Sequence, residues 1–408
     1  MNVFDVFKER GFFEQCTDEE RVRTLLGGSA TCYIGFDPTS DSFHCGSLVP
    51  IMALAHLQRH GHRVIPLMGG GTAMIGDPSG KTELRQLITV EKIESNSVGL
   101  KKQFEKFIDF SGGKALMLNN AEWLRPLNYI EFLRDIGRHF SVNKMLAAES
   151  YRMRLETGLN FIEFNYMLLQ SYDFLHLYKN YDCRLQMGGN DQWGNILAGT
   201  DLIRRITGGD AEALTFPLLT TASGSKMGKT EKGAVWLDPA KTPPYDYYQY
   251  WINTDDRDVG KFLALFTFLP MEEVRCLGAL EGADLRKSKE VLAFEATKLL
   301  HGDDEAEKAR EAARSLFCGE GPLDLESVPT FEIGASCLQE GTPAFMLLAD
   351  CGIVKSRGEA RRLIQQGGAY VNGRRIDQFD EKISESDLNC GCLLLRAGKK
   401  KYIRVKPV

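Results

Sequence analysis

One short stretch constrains this chain more than any other. Ala30 to Phe36 (ATCYIGF) reads as a buried strand, and a loop of turn formers follows it, Asp37-Pro38-Thr39-Ser40-Asp41-Ser42. Leu48, Ile51, Met52 and Ala55 then recur at helical spacing, and Gly61 closes that helix. Val64 to Met68 (VIPLM) is a second buried strand, ended by Gly69-Gly70-Gly71. Strand, helix, strand in this order make a βαβ unit. Parallel strands need such a crossover, and a parallel sheet needs helices on both faces, so the spacing predicts an α/β fold.

The rest of the chain extends that unit. Phe161 to Leu177 predicts a long helix, and Leu185 to Met187 a strand leading into Gly188-Gly189-Asn190-Asp191. Phe216 to Leu219 reads as a short strand before a mobile segment, Thr220 to Thr230. From Tyr245 to Phe317 the pattern is helical and charged. Residues 319–341 hold Pro322, Pro329 and several glycines and read as a linker, and a last unit begins near Thr342. A chain of 408 residues has room for two or three such domains.

Charge is unevenly spread. From Gly341 to Val408 there are 13 Lys and Arg against 7 Asp and Glu, a local +6, so the remainder carries −11 of a total of −5. A basic tail on an acidic body suits a polyanionic partner; a solvated charged face fits the same count. The longest stretch without Asp, Glu, Lys or Arg, Ser42 to Gln58, contains His44, Gly46 and Pro50 and makes a poor membrane span. Asp5, Glu9 and Glu14 argue against a secretory leader. Ten scattered cysteines, none in a CxxC pair, suit reduced thiols in the cytosol better than a zinc site or disulfide framework.

Three segments carry candidate nucleotide chemistry. Gly80-Lys81-Thr82 invites a phosphate-loop reading, but Ile75 stands where that motif needs its first glycine, and no GxGxxG follows either early strand. His44-Cys45-Gly46-Ser47 opens a helix after a buried strand, where free N–H groups and a small glycine admit phosphate; a histidine there also serves as a plain cap. Lys226-Met227-Gly228-Lys229-Thr230 brings two point charges to a glycine-bearing loop, suited to a triphosphate; an exposed basic turn has the same pattern. On the long helix, Tyr166, Gln170 and Asp173 fall on one side, and Phe161, Phe164, Leu168 and Tyr172 on the other. A polar stripe without Lys or Glu lines a ligand more readily than solvent.

Together these motifs resemble the class I aminoacyl-tRNA synthetases, and within them the bacterial tyrosyl-tRNA synthetases. Tyr33 to Thr39 is similar to that family's first-strand motif, His44 to Ser47 to its HIGH signature and Lys226 to Thr230 to its KMSKS signature. Gly76 to Gly80 (GDPSG), the Tyr166–Gln170–Asp173 helix and Gly188 to Asn195 (GGNDQWGN) are also family-like. The resemblance implies a Rossmann-like parallel-sheet catalytic domain over 1–230, with a dimer-interface insert at about 120–160. It implies an α-helical domain for the anticodon side of tRNA over 231–318, and a small α+β RNA-binding domain of the ribosomal-protein S-four type over 342–408. It implies a homodimer, with Asn128 to Phe140 packing a second copy.

The implied reaction joins L-tyrosine to tRNA(Tyr) by way of a tyrosyl-adenylate. ATP is a substrate, Mg2+ accompanies its phosphates, and no protein metal site is expected. Tyr33 and Asp173 are implied at the phenolic hydroxyl, Asp77, Tyr166 and Gln170 at the α-ammonium, and Gln192 near the reacting carboxylate. Gly35, Asp37, Gly46, Ser47, Gly189, Asp191 and Met227 are implied around ATP. Thr39, His44, Lys226, Lys229, Lys81 and Arg85 are implied on its β- and γ-phosphates. Ser47 stands where the HIGH pattern ends in histidine, and Cys45 replaces an aliphatic residue; KMGKT keeps both lysines.

In the tail, Ser356 caps a helix bearing Arg357, Arg361 and Arg362, and Asn372-Gly373 is a hairpin turn flanked by Tyr370-Val371 and Arg374-Arg375. Lys399, Lys400, Lys401 and Arg404 extend this basic patch. A catalytically silent RNA-binding relative and a tryptophanyl enzyme are the rival readings; Tyr33 and Asp173, a pair suited to a phenol, favour tyrosine.

Overall fold

The computed structural model describes residues 2–79, 88–222, 224, 227–230, 233–318, 329–339, 341–388, 391–398 and 401–407. Two compact units emerge, residues 1–242 with 250–301, and 243–249 with 302–408.

The first unit is organised by a six-stranded sheet: β1 (Gln15–Cys16), β2 (Thr31–Phe36), β3 (Arg63–Met68), β4 (Leu118–Asn119), β5 (Cys183–Gly189) and β6 (Glu212–Phe216). Their order is β1-β6-β5-β2-β3-β4. The neighbours are parallel except at the edge, where β1 runs antiparallel to β6. The opening βαβ unit is present in register from Thr31 opposite Arg63 to Phe36 opposite Met68. β2 pairs with β3 on one side and β5 on the other, so the chain order reverses there. Such a reversal leaves a crevice beyond the carboxyl ends of the strands, the usual ligand position in open α/β sheets.

Among the helices of this unit are α1 (Leu48–Arg59), α2 (Val90–Phe104), α3 (Phe161–Tyr181) and α4 (Trp193–Thr207). α1 is buried from Leu48 to Leu57 except at Pro50, not along one face only; a helix apolar all round is a core helix. α3 runs beyond the expected Leu177. Its start is fixed by a capping box in which Asn160 and Glu163 exchange bonds, and Glu163 also takes a buried ion pair from Arg154 at 2.8 Å. The expected apolar stripe holds at Leu168, Phe164 and Tyr172, but Phe161 is 68% exposed. The helix start stands at the surface with its exposed Asn160 cap, so its first apolar residue finds no core to enter.

The strand expected at Phe216 to Leu219 lies instead at Glu212 to Phe216. Pro217 lacks the N–H that a ladder needs. Glu212 concealed the strand, for it is buried with Arg21 at 2.8 Å and the Thr17 hydroxyl as partners. Between Pro244 and Cys318 every regular element is helical, as expected for the middle of the chain.

The second unit carries a five-stranded sheet in which Ala369–Val371 pairs with Arg374–Arg375 and with Leu393–Ala397, which pairs with Lys401–Pro407. The expected hairpin turn is made by Asn372 (φ 49°) and Gly373 (φ 82°), both left-handed, as a type I′ turn requires. The expected helix is Arg357–Gln365, its N-terminus capped by Ser356 Oγ accepting from Glu359 N at 3.2 Å. Within the segment read as a linker, Thr330–Ile333 is a strand parallel to Lys401–Pro407, with Phe331 and Ile333 against the core. Four alternating residues were too short a pattern to register as a strand. Among the described residues no helix is long and apolar enough to cross a membrane, and the described cysteines are free thiols.

Candidate active site

A cavity of about 370 Å³ occupies the crevice where β2 and β5 meet. It gathers residues far apart in sequence: Tyr33, Gly35, Asp37, Thr39, Gly46, Ser47, Asp77, Tyr166, Gln170, Asp173, Gly189, Asp191 and Gln192 all line it. The polar stripe of α3 therefore faces this cavity.

At the closed end stand Tyr33 on β2 and Asp173 on α3, 1% and 2% exposed. Among the described residues the Tyr33 hydroxyl has no hydrogen-bond partner. Burial, with Asp173 adding to it, holds the Tyr33 phenol well above its ordinary pKa. Asp173 Oδ1 accepts the Trp123 indole N–H at 2.7 Å and Oδ2 the Asn120 amide at 2.8 Å. Burial nonetheless pushes its carboxyl up to about 7; the two donors pull it down and the charge of Asp37 pushes it further up. A buried acid and an unpaired buried hydroxyl are costly to maintain, and a guest that bonds to both relieves the cost.

Midway, Asp77 accepts from Ser79 N at 2.9 Å and Gln192 Nε2 at 2.6 Å. Burial raises its carboxyl to about 6. Gln170 Oε1 has no hydrogen-bond partner among the described residues. Tyr166, expected beside a substrate ammonium, donates to Asp37 Oδ2 at 3.1 Å, and Thr72 donates to Asp37 Oδ1 at 2.7 Å. Two residues expected at different substrate groups are thus bonded to each other.

The end where the resemblance implies the nucleotide is shaped by backbone. His44 does not line the cavity; its Nδ1 accepts from Gly46 N at 2.9 Å, the capping role that the sequence left open. A Cβ on Gly46 would meet the His44 ring at 2.7 Å and the Met227 carbonyl at 3.1 Å. A Cβ on Gly228, at φ +78°, would stand 2.8 Å from Gly46 N. The HCGS and KMGKT segments thus meet through glycines, with Met227 buried but outside the cavity lining. Lys226, Lys81 and Arg85 lie outside the described residues, as does the Lys229 side chain.

Four lining or supporting residues escaped the sequence reading. Asn120, Trp123 and Thr72 belong to connections without a motif and act through Asp173 and Asp37. Gln186, opposite Tyr33 in the β2–β5 ladder, is 2% exposed and lines the cavity, its Oε1 without a hydrogen-bond partner among the described residues. A lone glutamine inside the apolar run of β5 was the signal that could have exposed it.

In the second unit the tail arginines are exposed, and several have local partners. Arg361 lies over Phe345 and Phe379 at 4.3 and 5.1 Å, Arg374 pairs with Glu381 and Asp387, Arg375 with Asp377, and Arg357 with Asp350 at 3.7 Å. Arg362 is exposed.

Residues 26–318 match the model of class I tRNA synthetases (W and Y), and residues 324–405 match a tyrosine–tRNA ligase SYY-like C-terminal domain. The tyrosine–tRNA ligase of Syntrophus aciditrophicus (strain SB) is 59% identical over 422 residues, covering 99% of both chains. That of Caldanaerobacter subterraneus subsp. tengcongensis is 56% identical over 99% of both. Among solved structures, a C-terminally truncated Aspergillus nidulans mitochondrial tyrosyl-tRNA synthetase superposes with a TM-score of 0.70 at 29% identity, over 78% of this chain and 94% of that one. The Archaeoglobus fulgidus tyrosyl-tRNA synthetase, at TM-score 0.58 and 18% identity over 76% of this chain and all (100%) of that one, shares the fold. By sequence over its whole length, and by the architecture around the cavity, this chain belongs to the class I tyrosyl-tRNA synthetases.

Proposed function

We propose that this chain attaches L-tyrosine to tRNA in two steps. The tyrosine carboxylate attacks the α-phosphate of ATP, forming the acyl–phosphate bond as the α–β phosphoanhydride breaks and pyrophosphate leaves. A terminal ribose hydroxyl of tRNA then attacks the acyl carbon, and AMP leaves. No side chain becomes covalently bound. Catalysis consists of bringing two anions together and neutralising the charge that grows on the departing pyrophosphate.

The observation that carries the reading is the closed end of the cavity, where the unpaired Tyr33 hydroxyl and the Asp173 carboxylate await a guest hydroxyl. A site built for that hydroxyl penalises phenylalanine, which leaves both groups buried and unpaired. In this reading Asp77, Tyr166 and Gln170 hold the α-ammonium and Gln192 the carboxylate region. Thr39, His44, Lys226, Lys229, Lys81 and Arg85 attend the phosphates. Gly35, Asp37, Gly46, Ser47, Gly189, Asp191 and Met227 border the nucleotide. Mg2+ enters as the counter-ion of the ATP phosphates.

The reading further assigns catalysis to 1–230, tRNA contacts to the helical 231–318 and, after the 319–341 segment whose strand Thr330–Ile333 joins the second unit's sheet, to the basic 342–408. Arg357, Arg361, Arg362, Arg374 and Arg375 would meet RNA phosphates there. The protein works as a cytoplasmic homodimer, with residues 128–140 against the second copy. Amino-acid-dependent pyrophosphate exchange with all twenty amino acids tests the assignment: tyrosine should be the best substrate by orders of magnitude, and any other best substrate overturns it.

A further inference from the structure

Helix α2 contributes no residue to the cavity, yet it grips the loop between Asp37 and Phe43 along one face. Asn96, 0% exposed, donates Nδ2 to the Pro38 carbonyl at 2.9 Å. One turn later, Gly99 lies so close to the Asp41 carbonyl that a Cβ would stand 2.2 Å from its oxygen. One turn further, Gln103 uses both ends of its amide: Oε1 accepts Phe43 N at 2.9 Å and Nε2 donates to Ser42 Oγ at 3.0 Å. Positions 96, 99 and 103 share a helix face. Phe104 closes the contact, with ring centroids 4.9 Å from Phe36 and 5.0 Å from Phe43.

Two buried carboxamides are an expensive way to fill space, because each needs its hydrogen bonds met. Here Asn96 Nδ2 and Gln103 Oε1 meet backbone groups of an irregular loop and Gln103 Nε2 meets the Ser42 hydroxyl, while Asn96 Oδ1 has no hydrogen-bond partner among the described residues. That loop carries Thr39 into the cavity and leads directly to His44. We propose that Asn96 and Gln103 are positioning residues for the nucleotide end of the site, with Gly99 setting the distance at which helix and loop pack. They act through Thr39 and His44 and touch no substrate. This rests on the adenylation reading above. A displacement near 1 Å at such a group costs about a hundredfold in rate, so a clamp on its loop has kinetic consequences.

Asn96→Ala, Asn96→Asp and Gly99→Ala separate this role from mere packing. Asp keeps the volume of Asn but replaces the donor with an acceptor facing the Pro38 carbonyl. Ala at 99 removes no hydrogen bond and pushes Asp41 outward. All three should lower the rate of adenylate formation about tenfold or more and raise the KM for ATP, while the Kd for tyrosine, read by intrinsic fluorescence, stays within about twofold. Asn96→Asp should be at least as impaired as Asn96→Ala. The proposal is overturned by folded variants with unchanged ATP terms, by equal losses in the tyrosine and ATP terms, or by a harmless Asn96→Asp beside a damaged Asn96→Ala. Should the position-96 variants not fold, Gln103→Glu, which keeps the acceptor for Phe43 N and loses the donor to Ser42, should show the same split. Wild-type tyrosine-dependent exchange separates the failures: an inactive wild type overturns the functional reading, whereas an active wild type with indifferent variants overturns only the clamp.

Discussion

At the end of the cavity proposed for the phenol the chemistry resides in side chains; at the end proposed for the nucleotide it resides largely in backbone. The phenol end is buried and oriented in advance: Asp173 and Tyr33 are 2% and 1% exposed, and Trp123 and Asn120 hold the acid in one orientation. The nucleotide end is walled by Gly35, Gly46 and Gly189, and its two signature segments touch at Gly46 and Gly228. Discrimination between two amino acids needs hydrogen-bonding groups fixed before the substrate arrives, because selectivity comes from leaving them unpaired with the wrong guest. Binding a polyphosphate needs room and N–H groups, which glycines and a helix start provide. Damage at the two ends should therefore surface in different kinetic quantities.

The largest effect belongs to the phenol end. Asp173→Ala should collapse the preference for tyrosine over phenylalanine toward unity. The loss approaches about 10⁵, a selectivity known for this enzyme family itself and not obtained from these distances. Pyrophosphate exchange with both amino acids measures it, and a variant still preferring tyrosine a thousandfold removes Asp173 from specificity. His44→Ala comes next, at the other end. If the imidazole acts on the leaving phosphates, kcat and kcat/KM for ATP should fall together by about 10²–10³ with tyrosine binding intact. Unchanged turnover would leave His44 a structural role, capping Gly46 N and packing on Trp236.

Acidity distinguishes the ends more gently. Burial sets Asp173 near 7 and Asp77 near 6 in the free protein. A guest hydroxyl and ammonium favour the ionised forms, so binding takes up no proton above about 7 and must expel one below it. The KM for tyrosine should then rise about tenfold per pH unit on acidification below 7, and more steeply below 6. A flat profile would mean that a neutral Asp173 serves equally well.

The parts that set this contrast were unequally legible. The βαβ unit, α3 and the Asn372-Gly373 hairpin follow from periodicity and turn chemistry, which are local. Tyr33, Asp77 and Asp173 could be named because family motifs mark them; neither composition nor spacing joins β2 to α3. Asn120, Trp123 and Gln186 remained hidden because their meaning is tertiary. An asparagine and a tryptophan after a two-residue strand have no periodicity, and a glutamine in β5 looks like an interruption until the ladder puts it opposite Tyr33. Thr330–Ile333 was hidden for another reason: an edge strand this short has too few residues to show alternation.

Trp123 offers the smallest and most pointed test. Its indole N–H, 2.7 Å from Asp173 Oδ1, stabilises the anion and lowers a pKa that burial raises. Trp123→Phe keeps an aromatic ring against His176, with which the indole stacks at 4.2 Å, and removes the donor together with the small ring that carries it. Asp173 should then titrate higher, so the acidic limb of the tyrosine KM profile moves to higher pH, by less than about one unit if the lost bond is worth about 1 kcal/mol. The KM for ATP should not move, because the donor faces only the phenol end. A limb that stays in place while KM rises at every pH would show that Trp123 shapes the pocket without tuning its acid.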